Sequence, residues 1–392
     1  MNSEILAINV QEFINDNLTS DIHKILLSKS KFSKVSSKEL VEQIVSKFKA
    51  KSKLPTWFNN KNIYYPNKLN LSQTSSEITA NYKASIIDGK SIIDITGGFG
   101  VDSFAFSKKV RQVTHIERNK ELSKISDYNF KQLGISNVKC YSLDGLAFLK
   151  NTTNTFDWLY IDPSRRNKDN KKVYYLSDCE PNVISNMPLF MSKASSLLIK
   201  TGPLLDLKSG LKELTNVKEI HIVAVNNDVK EVLWLIQNKY NDEPLVKTLN
   251  YKAEKLQQFQ FHFNEEQNAN ATYSVPLSYI YEPNAAILKS GAFKTISKYY
   301  NLHKIHPNSH LYTSNGLIPF PGRIFIVNNI YDYSKKEFKK ARITKANITT
   351  RNFPDSVENI RKKLKIKDGG KNFLFCTTDL NEKLVIISCL QI

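Results

Sequence analysis

The chain has 392 residues, 41% hydrophobic and 24% charged, ordinary values for a globular protein, and at roughly 100–200 residues per domain it holds two to four domains. No apolar run approaches the ~18 residues that a membrane helix needs, Met1-Asn2-Ser3-Glu4 lacks a basic-then-apolar leader, and Cys140, Cys179, Cys376 and Cys389 form no C-x-x-C pair. These features argue against a spanning helix, a visible signal peptide, a disulfide frame and a zinc site, and the expectation is a cytoplasmic protein with reduced thiols and no metal. The net charge of +19 favours a polyanionic partner, nucleic acid first and an anionic membrane surface second, against the plainer alternative of a Lys-, Asn- and Ile-rich composition.

Residues 1–70 read as a small helical domain. Apolar residues recur at helical spacing (Ile5, Ile8, Phe13, Ile14; Ile22, Ile25, Leu26; Leu40, Val41, Ile44, Val45, Phe48), and Ser36-Ser37-Lys38-Glu39 forms a capping box for the last helix. Residues 71–250 then alternate strand and helix. Gln73–Ala80 is a polar lead into a helix, and strands are expected at Ile92–Thr96, Gln112–Ile116, Val138–Ser142, Trp158–Ile161, Ser196–Ile199 and Glu219–Val225. This is an α/β pattern, a doubly wound parallel sheet covered by helices. Lys230–Ile236 fits either a helix or an edge strand. Residues 251–321 supply a strand at Val275–Tyr281 and a helix at Ala285–Tyr300. Residues 322–392 hold two helices and four strands, a compact α+β module with 15 Lys and Arg against 7 Asp and Glu.

The first strand ends in Asp94-Ile95-Thr96-Gly97-Gly98-Phe99-Gly100-Val101-Asp102. Glycines at a strand-to-helix turn let backbone approach a nucleotide-type ligand, and the third glycine of the dinucleotide fingerprint is missing here. Glu117, followed by Arg118, closes the second strand and occupies the position where doubly wound folds bond ribose hydroxyls. Asp144-Gly145 follows the third strand, placing an acid where it can accept from an adenine amino group beneath Leu146 or Phe148. Asp162-Pro163-Ser164-Arg165-Arg166 follows the fourth. There Asp162 can orient an acceptor or a cofactor amine, Pro163 stiffens the turn, and Arg165 and Arg166 offer planar forks for phosphate. His303, His306 and His310 have a spacing that can bind metal but lack a completing Cys or acid, so a solvated face is the better reading. Cys179 reads as a semi-buried thiol. Tyr331, Tyr333, Lys335, Lys336, Lys339 and Lys340 interleave aromatic and basic groups as nucleic-acid surfaces do, and equally fit an exposed lysine helix.

Together Gln73–Ala80, Asp94–Asp102, Glu117, Asp144 and Asp162–Arg166 resemble the THUMP-like class I methyltransferases of bacteria. Tyr281–Lys289 resembles their small ferredoxin-like piece. Lys345–Asn347, Thr350–Pro354 and Lys367–Phe375 resemble their C-terminal THUMP-like module. The resemblance covers nearly the whole chain. It implies a Rossmann-like methyltransferase sheet followed by ferredoxin-like and THUMP-like modules, with S-adenosylmethionine as cofactor. The cofactor would be held by Asp94, Thr96, Gly97, Gly98, Phe99, Gly100, Asp102, Glu117, Arg118, Asp144, Gly145 and Asp162, with Asp162, Pro163 and Arg165 at the reaction centre. By analogy it implies tRNA or rRNA as substrate, bound through Arg165, Arg166, Lys339, Lys340, Arg342 and Arg351. Two departures bear on the target atom. Ser164 and Arg165 stand where amino-methylating relatives carry a Pro and a stacking aromatic, and Lys200-Thr201-Gly202-Pro203 lacks the cysteine of uracil-C5 chemistry. Transfer to a base nitrogen is the favoured expectation. The alternatives are a non-RNA acceptor, an RNA-binding or assembly protein with an inactive methyltransferase fold, and an NAD-dependent oxidoreductase.

Overall fold

The computed structural model describes residues 1–164, 175–253 and 255–392. It divides into two compact units. The first comprises Met1–Thr201, Lys208–Val217 and Trp234–Tyr240; the second comprises Gly202–Leu207, Lys218–Leu233 and Asn241–Ile392.

The first unit opens with helices α1 (Ile8–Asp16), α2 (Ile22–Leu27), α3 (Ser37–Lys53), α4 (Pro55–Asn59), α5 (Lys68–Gln73) and α6 (Glu77–Ile86). α3 starts where the sequence places it: Ser36 Oγ accepts from Glu39 N at 3.2 Å and the Glu39 carboxylate accepts from Ser36 N at 2.8 Å. Its buried stripe, Leu40, Gln43, Ile44, Lys47 and Ala50, follows the 3.6-residue period. Pro55 at the first position of α4 starts a new helix directly after Leu54, since its fixed φ suits that position and its missing N–H costs nothing there. α4 buries Trp57 completely, 4.7 Å from the ring of Phe99 and 5.5 Å from that of Phe104. The following segment is pinned by Asn129, whose side chain bonds both the N–H and the C=O of Tyr64 at 2.9 Å.

Five parallel strands follow: β1 (Ser91–Asp94), β2 (Gln112–Ile116), β3 (Val138–Tyr141), β4 (Phe156–Ile161) and β5 (Ala194–Thr201), ordered β3-β2-β1-β4-β5. β1 and β4 are central and almost wholly buried, which is why they read as continuous apolar runs rather than alternating ones. The crossovers are α7 (Val101–Ser107), α8 (Lys120–Gln132), α9 (Gly145–Asn151) and α10 (Val183–Lys193). The chain leaves β1 toward β2 and later returns to β4 on its other side, so the crevice beside β1 is a topological switch point. Beyond α11 (Leu207–Glu213) and β6 (Val217–Val225), Lys230–Ile236 proves to be part of strand β7 (Asp228–Gln237), with every residue from Glu231 to Ile236 buried. Its last residues belong to the first unit, where Trp234 Nε1 donates to Thr201 Oγ1 at 3.0 Å.

In the second unit β6 pairs in parallel with β8 (Leu245–Lys252), which pairs antiparallel with β9 (Lys255–His262). Sequence reasoning missed both later strands. β9 carries glutamines outward and buries only Phe259 and Phe261, a two-residue period too short to stand out. After α12 (Glu265–Asn268) a second sheet combines β10 (Tyr279–Pro283), β11 (His303–Lys304), β12 (Tyr312–Ser314), β13 (Gly322–Asp332), β14 (Lys345–Arg351), β15 (Lys367–Thr378) and β16 (Leu384–Gln391). Its order is β11-β12-β10-β13-β16-β15-β14. The expected helix Ala285–Tyr300 is two, α13 (Ala285–Ser290) and α14 (Phe293–Tyr299), because Gly291 takes a left-handed φ of +75° and ends the first. α15 (Lys335–Lys339) and α16 (Val357–Leu364) complete the tail, with Phe325, Phe375, Ile387 and Cys389 in its core.

Candidate active site

The carboxyl ends of β1 to β4 open on a cleft of about 630 Å³ within the first unit. Of the residues expected to hold a cofactor, Thr96, Gly97, Gly98, Phe99, Gly100, Asp102, Glu117, Arg118, Asp144, Gly145 and Asp162 all line it. Asp94, expected to hold the cofactor, and Pro163, expected at the reaction centre, do not; both are buried. Arg165 and Arg166 lie outside the described residues.

The turn after β1 is built tightly. A Cβ on Gly97 would sit 2.2 Å from the His115 ring, and Gly100 adopts φ +87° with the Phe130 ring 2.5 Å from any added Cβ. Gly97 is required for packing, and Gly100 for packing and for its left-handed backbone. Gly98 N donates to Glu117 Oε2 at 2.9 Å, and Asn119 N donates to Glu117 Oε1 at 2.6 Å. The Glu117 carboxylate is thereby fixed at the rim of the glycine turn. Phe99 is only 2% exposed, since its ring packs on Trp57. Asp144 caps α9, accepting from Ala147 N at 3.0 Å. Arg118 reaches across to Glu180 at 2.9 Å in an exposed pair.

Behind the turn, Asp94 accepts from Thr96 N at 3.0 Å and from Ser103 Oγ at 2.7 Å, while Ser103 Oγ also meets His115 Nδ1 at 3.0 Å. Burial pushes the Asp94 carboxyl up to about 7 and the His115 imidazole down to about 4. The raised Asp94 loses its contribution to stability as pH climbs from 3.8 toward 7, because the folded state holds the proton more tightly. The lowered His115 gains stability from 4 toward 6.5, because the unfolded state holds the proton more tightly. The two slopes oppose each other across their shared window. His115→Asn removes one of them, so the urea midpoint of that variant should fall relative to the wild type as pH rises from roughly 4 to 6.5.

Thr96 joins two strand ends. Its Oγ1 accepts from Asp162 N at 2.8 Å. Thr96→Val leaves that N–H without its partner, an expected cost of about 1–3 kcal/mol, and releases the backbone that aims Asp162. Thr96→Ser should restore both stability in urea unfolding and activity. Asp162 Oδ2 accepts from Lys200 Nζ at the end of β5; among the described residues nothing bonds Oδ1.

A second lysine sits beneath the cleft. Lys83 of α6 is fully buried, 3.2 Å from Asp102 Oδ1 and 3.0 Å from Ser75 Oγ. Asp102 Oδ2 accepts from Ser75 Oγ at 2.8 Å and Tyr160 Oη at 2.9 Å. Burial alone would raise the Asp102 carboxyl, but the ammonium groups of Lys83 and Lys200 and these hydrogen bonds hold it below its ordinary value.

Sequence reasoning missed Lys83 and Lys200, which reach the site from elements distant in the chain. It also did not name as site residues Asn70, Gln73, Thr74 and Ser75, which line the cleft from α5 and the turn after it; Gln73 to Ser75 entered only as part of the polar lead into α6 and of the family resemblance. Lys339, Lys340 and Arg342 are exposed in the second unit, Lys340 paired with Glu337 at 2.6 Å. Arg351 is committed to the buried Glu282, 2.9 Å away, which also binds Arg323. The three histidines disperse: His303 meets Thr272, His306 meets Glu382, and His310 stacks on Phe293 at 3.6 Å. Among the described residues no group of His, Cys, Asp and Glu is placed to hold a metal, and no helix is long and apolar enough to cross a membrane.

A parallel sheet ordered β3-β2-β1-β4-β5, with a glycine turn after β1 and an acid at or just beyond the end of β2, β3 and β4, defines a class I methyltransferase fold. Comparison with known proteins agrees. Residues 279–321 match a ferredoxin-like domain model, residues 322–390 a THUMP domain-like model, and residues 66–183 the family described as conserved hypothetical protein 95. A crystal structure from Porphyromonas gingivalis W83, assigned as a methyltransferase, is 33% identical, with a TM-score of 0.90 over 99% of this chain and 98% of that one. An uncharacterized RNA methyltransferase of Mycoplasma mobile is 31% identical over 97 residues, 24% of this chain; the match spans about a quarter (26%) of that relative. The chain belongs to the class I methyltransferase family that carries a C-terminal THUMP-like domain.

Proposed function

We propose that this protein transfers a methyl group from S-adenosylmethionine to a base nitrogen of tRNA or rRNA. The observation that carries the reading is the single cleft in which Glu117, Asp144 and Asp162 converge around the glycine turn. The residues present fit the cofactor. Glu117 accepts one backbone N–H on each oxygen and retains lone pairs for ribose hydroxyls. Asp144 would accept from the adenine amino group with Leu146 over the ring, and Gly97 and Gly145 keep side chains out of the wall. When bound, S-adenosylmethionine supplies a methyl group already activated by its sulfonium, so the protein's task is alignment and management of one proton. Asp162 would accept a hydrogen bond from the attacking amine through Oδ1 while Lys200 and Thr96 fix its position.

RNA as acceptor draws on the +19 charge, the THUMP-like match and the RNA methyltransferase relative. The test is transfer of labelled methyl groups from S-adenosylmethionine into separated tRNA and rRNA from cells lacking this protein. Label in one RNA fraction establishes the class of acceptor. No label in any RNA, with the cofactor still bound, would move the acceptor to protein or small molecules.

A further inference from the structure

We infer that the groove between the end of α3 and α5 is a docking site for single-stranded RNA flanking the target nucleotide, an inference that rests on the RNA reading above. The groove, about 710 Å³, has the Phe48 ring as its exposed apolar surface, with the fully buried Leu71 behind it and Lys49, Lys51 and Ser52 along α3. Helical spacing puts Phe48 on one face with Lys51 and Ser52. Phe48 is half exposed, whereas Leu40, Ile44 and Ala50 of the same helix are buried and Val41 and Val45 are partly so. From Lys47 to Lys53 the helix carries four lysines and no acid.

The groove is held in shape. Lys53 Nζ donates to the carbonyls of Leu71 and Ser72, both at 2.9 Å, tying the end of α3 to α5. α5 then separates two surfaces: Leu71 and Ser72 face the groove, while Asn70 and Gln73 line the active-site cleft. A chain lying in the groove has only the width of one helix, about 10 Å, to cross before it reaches Asp162's cleft.

The combination of an exposed aromatic face with ammonium groups matches a nucleotide chain, whose bases stack and whose phosphates take the charge. An acidic peptide would use the lysines and leave Phe48 idle, so the aromatic residue decides between them.

The full-length protein would be titrated with a fluorescent 12-nucleotide oligo(U) RNA at several salt concentrations, and with S-adenosylhomocysteine as a check on the folded cleft. K49E/K51E should weaken RNA binding by about tenfold or more and reduce the salt slope by about two. F48A should weaken it several-fold with the slope unchanged. Affinity for S-adenosylhomocysteine should be unaltered in both. Wild-type RNA affinity in both variants overturns the site and leaves the RNA reading standing. Loss in K49E/K51E without loss in F48A, together with equal binding of poly-glutamate, overturns it in favour of a general anion surface. Failure of the wild type to bind any RNA while it still takes up S-adenosylhomocysteine overturns the RNA reading and this site together.

Discussion

Asp162→Ala is expected to lower methyl transfer by a factor of about 10²–10⁴, the range associated with a positioned proton acceptor, while the thermal midpoint moves little. The side chain is one-third exposed, so its removal leaves no deep cavity. It does leave Lys200 without the carboxylate beside its ammonium, 14% exposed at the end of β5. Lys200→Met should therefore reproduce much of the loss in kcat with little change in KM for the acceptor, because the lysine acts on Asp162 and not on the acceptor. Lys200→Arg, which keeps the charge, should recover part of it. Steady-state kinetics on the RNA identified by methyl labelling measure all three. Full activity in Asp162→Ala would remove this residue from the reaction.

The largest effect on stability is expected at Lys83. Lys83→Met leaves the Asp102 carboxylate, 12% exposed, with hydrogen bonds and the field of Lys200 but without the ammonium 3.2 Å away. Breaking a buried pair from one side costs about 3–5 kcal/mol, readable as a shift in urea unfolding at pH 7. The double variant Lys83→Met/Asp102→Asn should regain much of this loss, since it removes the stranded charge as well. The pH dependence has a definite sign. Asp102 ionises in the folded state below its ordinary 3.8, so its stabilising contribution is present above that value and is lost as pH falls through the lower folded one. Without Lys83 the loss on acidification should begin at higher pH.

The sequence made the centre of the site readable because its chemistry is local. Gly97, Gly98 and Gly100 announce a turn by their spacing, and Glu117, Asp144 and Asp162 each stand at or just beyond the end of an apolar run. What it could not show is assembled across the fold. Lys83 and Lys200 look like ordinary helix and strand-end lysines until folding brings α6 and β5 to the carboxylates. Thr96 reads as one more residue of the glycine turn, and only the bond to Asp162 N shows what its hydroxyl does. Arg351 reads as a basic tail residue, yet its guanidinium is drawn to Glu282, 69 residues away in the chain. β9 escaped because its two buried phenylalanines give too short a pattern to separate from loop.

The Trp57–Phe99 contact makes the first helices part of the wall of the cleft rather than an appendage. Similarity to the methyltransferase family model begins only at residue 66, so that match alone suggests a convenient point to shorten the chain. A protein begun there would lack the indole that covers Phe99 and Phe104 and the Tyr64 backbone that satisfies Asn129. Two aromatic rings and a buried amide would face water directly behind the glycine turn. The aromatic and amide contacts that back the cleft therefore begin upstream of the point where that family-model match begins.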